Sequence, residues 1–235
     1  MNRRAFLETM CLGGLATFGR PRVTFAQAQQ TGRLVFVLLR GGLDGLAAVA
    51  FRGDPAYRSL RGSLAFEDGD PWPLDGLLGL SPDLVPLREA WDRNELVARI
   101  NGVMPPSVAP SSAGDHLRTS NVPASEPCMG AVWSSTTVVV MTEFGRTARP
   151  NGTRGTDRGT AGVGFLLGPK VAKSTVFSDW PGLATSALFE GRDLRPTLDT
   201  RAVLKAAIAG TFDLTAAQGV FPGSGAVRGA HQLMA

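Results

Sequence analysis

The segment Val138–Thr147, VVVMTEFGRT, decides the fold class of this chain. Three valines and a methionine follow one another without a polar residue, which is typical of a strand that is buried on both faces. Glu143 and Arg146 come directly after this run, where the strand should end. Because ligands bind outside the carboxyl ends of strands in open parallel sheets, these two side chains are candidate functional residues.

Further apolar runs predict strands at Leu34–Leu39, Leu96–Ile100 and Val163–Leu167. We expect the first and the last of them to neighbour Val138–Met141 in the core of one sheet. Helical segments separate several of the strands, and the strands are almost continuously apolar. The sequence therefore predicts an α/β fold with a mainly parallel sheet that is flanked by helices on both faces.

Two helices are predicted from their caps and their apolar spacing. Ser81 can cap a helix with Pro82 at its first position, although Pro86 weakens its first turn. The second helix begins at Asp199 or Thr200. Its predicted buried side carries Val203, Leu204, Ala207, Ile208 and Phe212.

The N-terminus is typical of a targeting segment. Arg3 and Arg4 precede a mild apolar stretch, and Ala26 and Ala28 form a small-residue cleavage site. We expect a twin-arginine signal peptide at residues 1–28, recognition by the twin-arginine export machinery, and a periplasmic or secreted mature form. The alternative is a frayed basic N-terminus. No later stretch approaches the length of a membrane span, so no stable membrane anchor is predicted.

Composition restricts the partners. With 235 residues, 43% hydrophobic and 19% charged, the chain is long enough for one good core. The net charge of +4 owes much to the arginines near the N-terminus, and no basic run contains interleaved aromatic residues. We therefore expect no nucleic acid partner. Cys128 is the one cysteine that follows the predicted signal, so an intrachain disulfide is not expected.

A change of composition divides the chain. Residues Pro105–Glu126 are rich in proline, serine and alanine and lack apolar periodicity, so we predict a linker or disordered loop there. On this interpretation, residues 29–104 are the N-terminal part of one α/β domain and residues 127–235 are its C-terminal part.

Three polar turns lie at or near predicted strand ends: RGGLDG, TEFGRT and RGTDRGT. They supply Asp44, Glu143 and Asp157, with Arg146 and Arg158 nearby. Carboxylates that converge in one cleft repel one another unless a cation lies among them, and oxygen ligands suit hard divalent metals. The turns therefore predict a metal site. The alternatives stay open: Asp44 can be a turn former, Glu143 can pair with Arg146, and RGTDRGT can be a solvated hairpin.

The long segments LLRGGLDGLAAVAFRGDPAYRSLRGSLAF and TTVVVMTEFGRTARPNGTRGTDRGTAGVGFLLG, followed by DWPGL and VFPGS, resemble the bacterial domain of unknown function 1501 (DUF1501) family. The resemblance spans Arg33–Ile100 and Val132–Gly223. The family is similar in pattern to the alkaline phosphatase/sulfatase superfamily of metal-dependent phosphate and sulfate ester hydrolases. The resemblance implies an alkaline-phosphatase-like fold and Asp44, Glu143 and Asp157 as ligands of a divalent metal, Zn or Ca.

The chain departs from the family pattern at the predicted site. Arg158 stands where family members usually have a histidine ligand, and arginine cannot bind a metal. A Gly-x-Asp-Thr-His segment of the family is absent, and only Asp115 and His116 lie in the shorter middle region. The fold is therefore expected to be incomplete and metal binding weak or lost.

Two functions follow from the resemblance. The first is a degenerate or shortened, exported relative of the ester hydrolases. The alternative is an active metal-dependent phosphoric or sulfuric ester hydrolase, in which Arg146 and Arg158 would bind the anionic ester ligand. The sequence marks no catalytic nucleophile.

Overall fold

The structure is a computed structural model that describes residues 32–67, 69–103, 132–214, 220–221 and 230–235. The predicted signal peptide, the predicted linker and Asp115 and His116 lie outside the described residues. Within these ranges, no helix has the length and apolar character needed to cross a membrane.

Outside the main sheet and one twelve-residue helix, the described strands and helices are short. In chain order the strands are β1 (Arg33–Leu39), β2 (Val49–Ala50), β3 (Trp72–Pro73), β4 (Gly79–Leu80), β5 (Leu96–Val103), β6 (Thr136–Thr142), β7 (Gly145–Arg146), β8 (Arg158–Gly159), β9 (Gly162–Leu167), β10 (Thr175–Phe177) and β11 (Leu198–Asp199). The α-helices are α1 (Gly45–Ala48), α2 (Tyr57–Arg61), α3 (Arg88–Asp92) and α4 (Thr200–Thr211). Turns of 3₁₀ helix occupy Gly62–Leu64, Pro82–Leu87, Thr185–Ala187 and Ala230–Leu233.

The main sheet is six-stranded, with the order β1-β6-β9-β5-β10 and with β11 also paired to β5. The predicted neighbours β1, β6 and β9 are therefore confirmed. The predicted α/β class is confirmed, but the sheet is mixed: β1, β10 and β11 pair in parallel, whereas β9 runs antiparallel to both β6 and β5. The chain between β6 and β9 forms the β7–β8 hairpin rather than a crossover helix, so it enters β9 from the end at which β6 finished.

Both faces of the sheet are covered by a core. Val97, Val139 and Leu166 point to one face and pack with Val203 and Leu204 of α4. The alternate residues of the same strands, such as Ala98 and Phe165, belong to the second core, which includes residues of α1 and α3. The expectation of helices on both faces holds, although α1 and α3 have only four and five residues.

The strand β1 differs from its prediction as a core strand. It lies at the edge of the sheet, and Val35, Phe36 and Val37 expose 41%, 47% and 37% of their surface. Its apolar run predicted burial on both sides, but in the described part of the chain only β6 pairs with it.

One of the two predicted helices is an α-helix in the structure, and the other is mostly 3₁₀ helix. Asp199 caps α4 by accepting from the amide of Arg201 at 2.9 Å, as predicted. Ser81 also caps as predicted, since its hydroxyl accepts from the amide of Asp83 at 3.3 Å. The segment that follows is mostly 3₁₀ helix and becomes α-helix only at Arg88. Pro86 explains this, because a proline within a helix has no N–H to donate and its ring crowds the preceding turn.

Candidate functional site

The turns after β1 and β6 contact each other at the carboxyl ends of these parallel strands. The amide of Gly41 donates to Oε1 of Glu143 at 3.2 Å, and the amide of Leu43 donates to Oγ1 of Thr142 at 3.1 Å. Gly42 has a φ of +80°, and a Cβ there would lie 2.4 Å from the ring of Phe144. Only glycine allows this close approach of the two turns.

Asp44 is held at both carboxylate oxygens. Its Oδ1 accepts from the amides of Leu46 and Ala47, both at 3.1 Å, and so caps α1. Its Oδ2 accepts from Nη2 of Arg61 at 2.9 Å. Arg61 is 1% exposed, and its Nη1 donates to the carbonyl of Ala148 at 3.2 Å. Asp44 thus has the structural role of a cap and an ion-pair partner.

Glu143 is held at one oxygen only. Its Oε1 accepts from the amide of Gly41, whereas its Oε2 is buried and has no hydrogen-bond partner among the described residues. A buried polar atom without a partner costs free energy, roughly 1–3 kcal/mol and more when the group is charged.

Arg146 connects the two turns to the β7–β8 hairpin. Its Nη1 donates to the carbonyl of Thr156 at 2.8 Å, and its Nε donates to the carbonyl of Gly42 at 3.4 Å. These partners are backbone carbonyls, and an Arg146–Glu143 ion pair is not found among the described residues. The guanidinium therefore stabilises the arrangement of the turns.

Asp157 and Arg158 lie on the exposed side of the hairpin. Oδ1 of Asp157 accepts from the side-chain amide of Asn151 at 2.9 Å. The guanidinium carbon of Arg158 lies 3.9 Å from the centroid of the Phe144 ring, a cation–π contact. Arg158 thus contacts the residue that follows Glu143 in the chain.

These residues do not fit a tight divalent-metal centre. Asp44 would have to give up a helix cap or a buried ion pair, and Asp157 is exposed and bonded to an amide. Within the described ranges, no group of three or more His, Cys, Asp or Glu side chains could hold a metal ion. Metal binding at Asp44, Glu143 and Asp157 stays a prediction.

Arg99 on β5 was missed by the sequence reasoning. It is 5% exposed, and its Nη2 donates to the backbone carbonyl of Asp199 at 3.2 Å. Burial lowers the pKa of the Arg99 guanidinium to about 10, and the Asp199 carboxylate opposes this shift. The signal in the sequence was a charged residue inside the apolar run LVARI. The other four residues of this run are all buried in the structure.

A pocket lies beside Arg99 on the face of the sheet that α4 covers. Gly162 and Gly164 of β9 line it together with Arg99, Thr200 and Val203. Its cavity volume is ≈ 20 Å³, which exceeds the roughly 10–15 Å³ that one water molecule needs.

Comparison with known families adds one finding. The pattern of the family described as "Protein of unknown function (DUF1501)" matches residues 129–221. This match supports DUF1501 membership. The matched part contains Glu143, Arg146, Asp157 and Arg158, whereas Arg99 lies before it. No curated protein and no solved structure shows significant similarity to the chain.

Proposed function

We propose that this chain is an exported, non-catalytic binding protein of the DUF1501 family and a degenerate or shortened relative of metal-dependent phosphate and sulfate ester hydrolases. One observation carries the proposal: both carboxylate oxygens of Asp44 are already bonded, one as the cap of α1 and one to Arg61. Asp44 is the residue that the family resemblance assigns as the first metal ligand.

The ion pair is the stronger of the two obstacles to metal binding at Asp44. Removing one partner of a buried ion pair leaves an uncompensated buried charge, at a cost of roughly 3–5 kcal/mol. A metal that took Asp44 away from Arg61 would leave that guanidinium, which is 1% exposed, without its carboxylate. Metal affinity at this position is reduced by the cost of that separation.

Arg158 weakens the site further. It stands where the family resemblance expects a histidine ligand, and its fixed positive charge lies over Phe144. A permanent cation next to the intended ligands repels a divalent metal and can neutralise a carboxylate in its place. We therefore propose weak or lost binding of Zn²⁺ and Ca²⁺.

One observation favours the alternative, an active metal-dependent phosphoric or sulfuric ester hydrolase. Oε2 of Glu143 is buried and has no partner in the described ranges, so it could still receive a cation. In that case Arg146 and Arg158 are the side chains that would bind the anionic ester. Metal ions would polarise the ester oxygen and activate a nucleophile.

Metal content and hydrolysis separate the two functions. We expect the purified full chain to contain less than stoichiometric Zn and Ca by mass spectrometry, and to hydrolyse chromogenic phosphate and sulfate esters at background rates. Arg158→His is the informative variant, because it restores the residue type that the family resemblance expects. A wild-type protein with one metal per chain and with turnover that a chelator abolishes would overturn the proposal.

Export is tested separately. The paired arginines and the Ala26-x-Ala28 site support recognition by the twin-arginine machinery, cleavage after Ala28 and a periplasmic mature form. Arg3→Lys combined with Arg4→Lys should leave the precursor in the cytoplasm, as seen by fractionation and immunoblotting. Normal processing of this double variant would show that the segment is not a twin-arginine signal.

A further inference from the structure

Arg99 is a buried cation with most of its donors unused. A guanidinium has five N–H donors, and the one hydrogen bond described for Arg99 goes from Nη2 to the carbonyl of Asp199. Its Nε and Nη1 are buried and have no hydrogen-bond partner among the described residues. With 5% of its surface exposed, Arg99 cannot direct these atoms to bulk water.

Two glycines line the space next to this side chain. Along β9, residues that alternate with Val163 and Phe165 face α4, and two of them are Gly162 and Gly164. Gly164 lies directly opposite Arg99 in the strand register. A Cβ at Gly164 would lie 2.9 Å from the backbone oxygen of Val140, so the close approach of β6 favours glycine at this position of the pocket wall.

The N-terminal end of α4 forms another wall of the pocket. Thr200, the first residue of this twelve-residue helix, lines the pocket and is 7% exposed. The N-terminus of a helix carries a partial positive charge, equivalent to roughly half an elementary charge. Both the helix and Arg99 therefore make the pocket favourable for an anion.

The Asp199 carboxylate attracts Arg99, but it does not line the pocket. The residues that line the pocket include no Asp or Glu. The carboxylate of Asp199, which precedes Thr200, is engaged by Arg201, whose Nη2 lies 2.6 Å from Oδ2. Because Asp199 is paired with Arg201, its attraction offsets the positive charge of Arg99 only in part.

The structure assigns to this pocket, formed by Arg99, Gly162, Gly164 and Thr200, the binding of the oxyanion head of a small ligand, a carboxylate or a phosphate. An oxyanion accepts from several N–H groups at once and so provides partners for the unused donors of Arg99. The cavity of ≈ 20 Å³ admits only a small group, so the rest of the ligand would stay outside. The inference goes beyond the proposed function, because it uses none of Asp44, Glu143 and Asp157.

The experiment is a titration of the full chain with potassium acetate, phosphate and sulfate at constant ionic strength, followed by calorimetry and by thermal unfolding. Arg99→Gln removes the guanidinium charge at the pocket. Arg88→Gln removes an equal charge at a surface position, where the side chain of Arg88 is 54% exposed. Arg99→Lys keeps the charge but loses the planar arrangement of donors.

We expect at least one of the oxyanions to bind to the wild type and to raise its Tm progressively, with the logarithm of the anion concentration above Kd. Arg99→Gln should weaken this binding at least tenfold, Arg99→Lys should weaken it less, and Arg88→Gln should leave it unchanged. Stronger binding of acetate than of phosphate would identify a carboxylate as the head group, and the reverse order would identify phosphate. Binding of none of the three anions, or equal binding by wild type and Arg99→Gln, would overturn the inference.

A measurement on the wild type covers the case in which Arg99→Gln does not fold. The Nε–H resonance of Arg99 in a ¹⁵N spectrum can be assigned by its loss in Arg99→Lys. We expect this resonance to shift during titration with the binding anion. A resonance that stays in place while the anion binds would show that the anion lies elsewhere and would overturn the inference.

Discussion

Arg61 and Arg99 are both buried arginines, and they differ in what surrounds them. Arg61 is 1% exposed and has a carboxylate partner, Asp44, at 2.9 Å and a carbonyl partner on Ala148. Arg99 is 5% exposed and has a single described partner, the carbonyl of Asp199. Both side chains have a buried Nε without a described partner, but Arg61 is bonded to a carboxylate, whereas Arg99 is not and lines a pocket.

This difference separates a role in stability from a role in binding. A buried arginine that is paired with a carboxylate stabilises the fold, and removing the arginine leaves the carboxylate as an uncompensated, partly buried charge. A buried arginine that is poorly paired costs stability in the free protein. Its presence is physically reasonable when a ligand provides the missing acceptors.

The largest effect is expected for Arg61→Met. The substitution leaves Asp44 partly buried without its cation and Ala148 without a donor. We expect the free energy of unfolding to fall by roughly 3–5 kcal/mol, measured by urea denaturation at pH 7. Asp44→Asn is the matched control, because an amide oxygen can still cap α1 while the ion pair is lost. A loss below about 1 kcal/mol in Arg61→Met would mean that the pair is not a structural one.

Arg99→Met should change stability in the opposite direction. Replacing a poorly paired buried charge by an apolar side chain is often neutral or stabilising by roughly 1–4 kcal/mol. In a buffer without oxyanions, we therefore expect Arg99→Met to be as stable as the wild type or more stable, by urea denaturation. A destabilisation similar to that of Arg61→Met would show that the two arginines contribute equally to the free energy of unfolding.

Asp199 offers a smaller, pH-dependent test near Arg99. Burial alone would raise the pKa of Asp199, but its bonds to Arg201 and the charge of Arg99 hold the pKa below its ordinary value. A carboxyl group with a lowered folded-state pKa adds stability above its unfolded-state pKa, and this stability is lost as the pH falls through the folded-state value.

Asp199→Asn should therefore remove a contribution that is present at pH 7. The difference in Tm between wild type and Asp199→Asn is expected to be largest near neutral pH and to shrink at acidic pH, because protonation of the wild-type carboxyl group removes the same interactions. Thermal melts from pH 7 down to acidic pH measure this difference. A difference that stays constant over the whole range would show that the charge of Asp199 does not matter.

The smallest effect is expected at the exposed arginine of the hairpin. Arg158 lies 3.9 Å from the Phe144 ring, and a cation–π contact at an exposed site contributes roughly 0.5–1 kcal/mol. Arg158→Gln should lower the free energy of unfolding by about that amount. A loss above about 2 kcal/mol would indicate that Arg158 has a structural role closer to that of Arg61.

The sequence predicted the elements whose signals are local. The apolar runs predicted β1, β6 and β9 and their adjacency, and Asp199 predicted the start of α4. The direction of β9 was not predictable, because an apolar run indicates burial but not orientation. The edge position of β1 was likewise not predictable, since it depends on which other strands pair with β1.

The roles of Asp44 and Arg99 depend on packing between distant segments. Arg61 lies 17 positions after Asp44, and nothing in the spacing of the two residues indicates an ion pair. The pocket beside Arg99 depends on glycines of β9 that become its neighbours only through the pairing of β5 with β9. The sequence indicates that Asp44 lies in a turn and Arg99 in a strand, but it does not indicate which residues they contact.

A calorimetric titration of the wild-type chain with Zn²⁺ and Ca²⁺, repeated on Asp44→Asn, tests whether Asp44 is available to a metal. We expect no tight stoichiometric binding to the wild type, because Arg61 and the cap of α1 already occupy both oxygens of Asp44. Tight binding of one metal per wild-type chain that Asp44→Asn abolishes would show that Asp44 is a metal ligand and not only a structural residue.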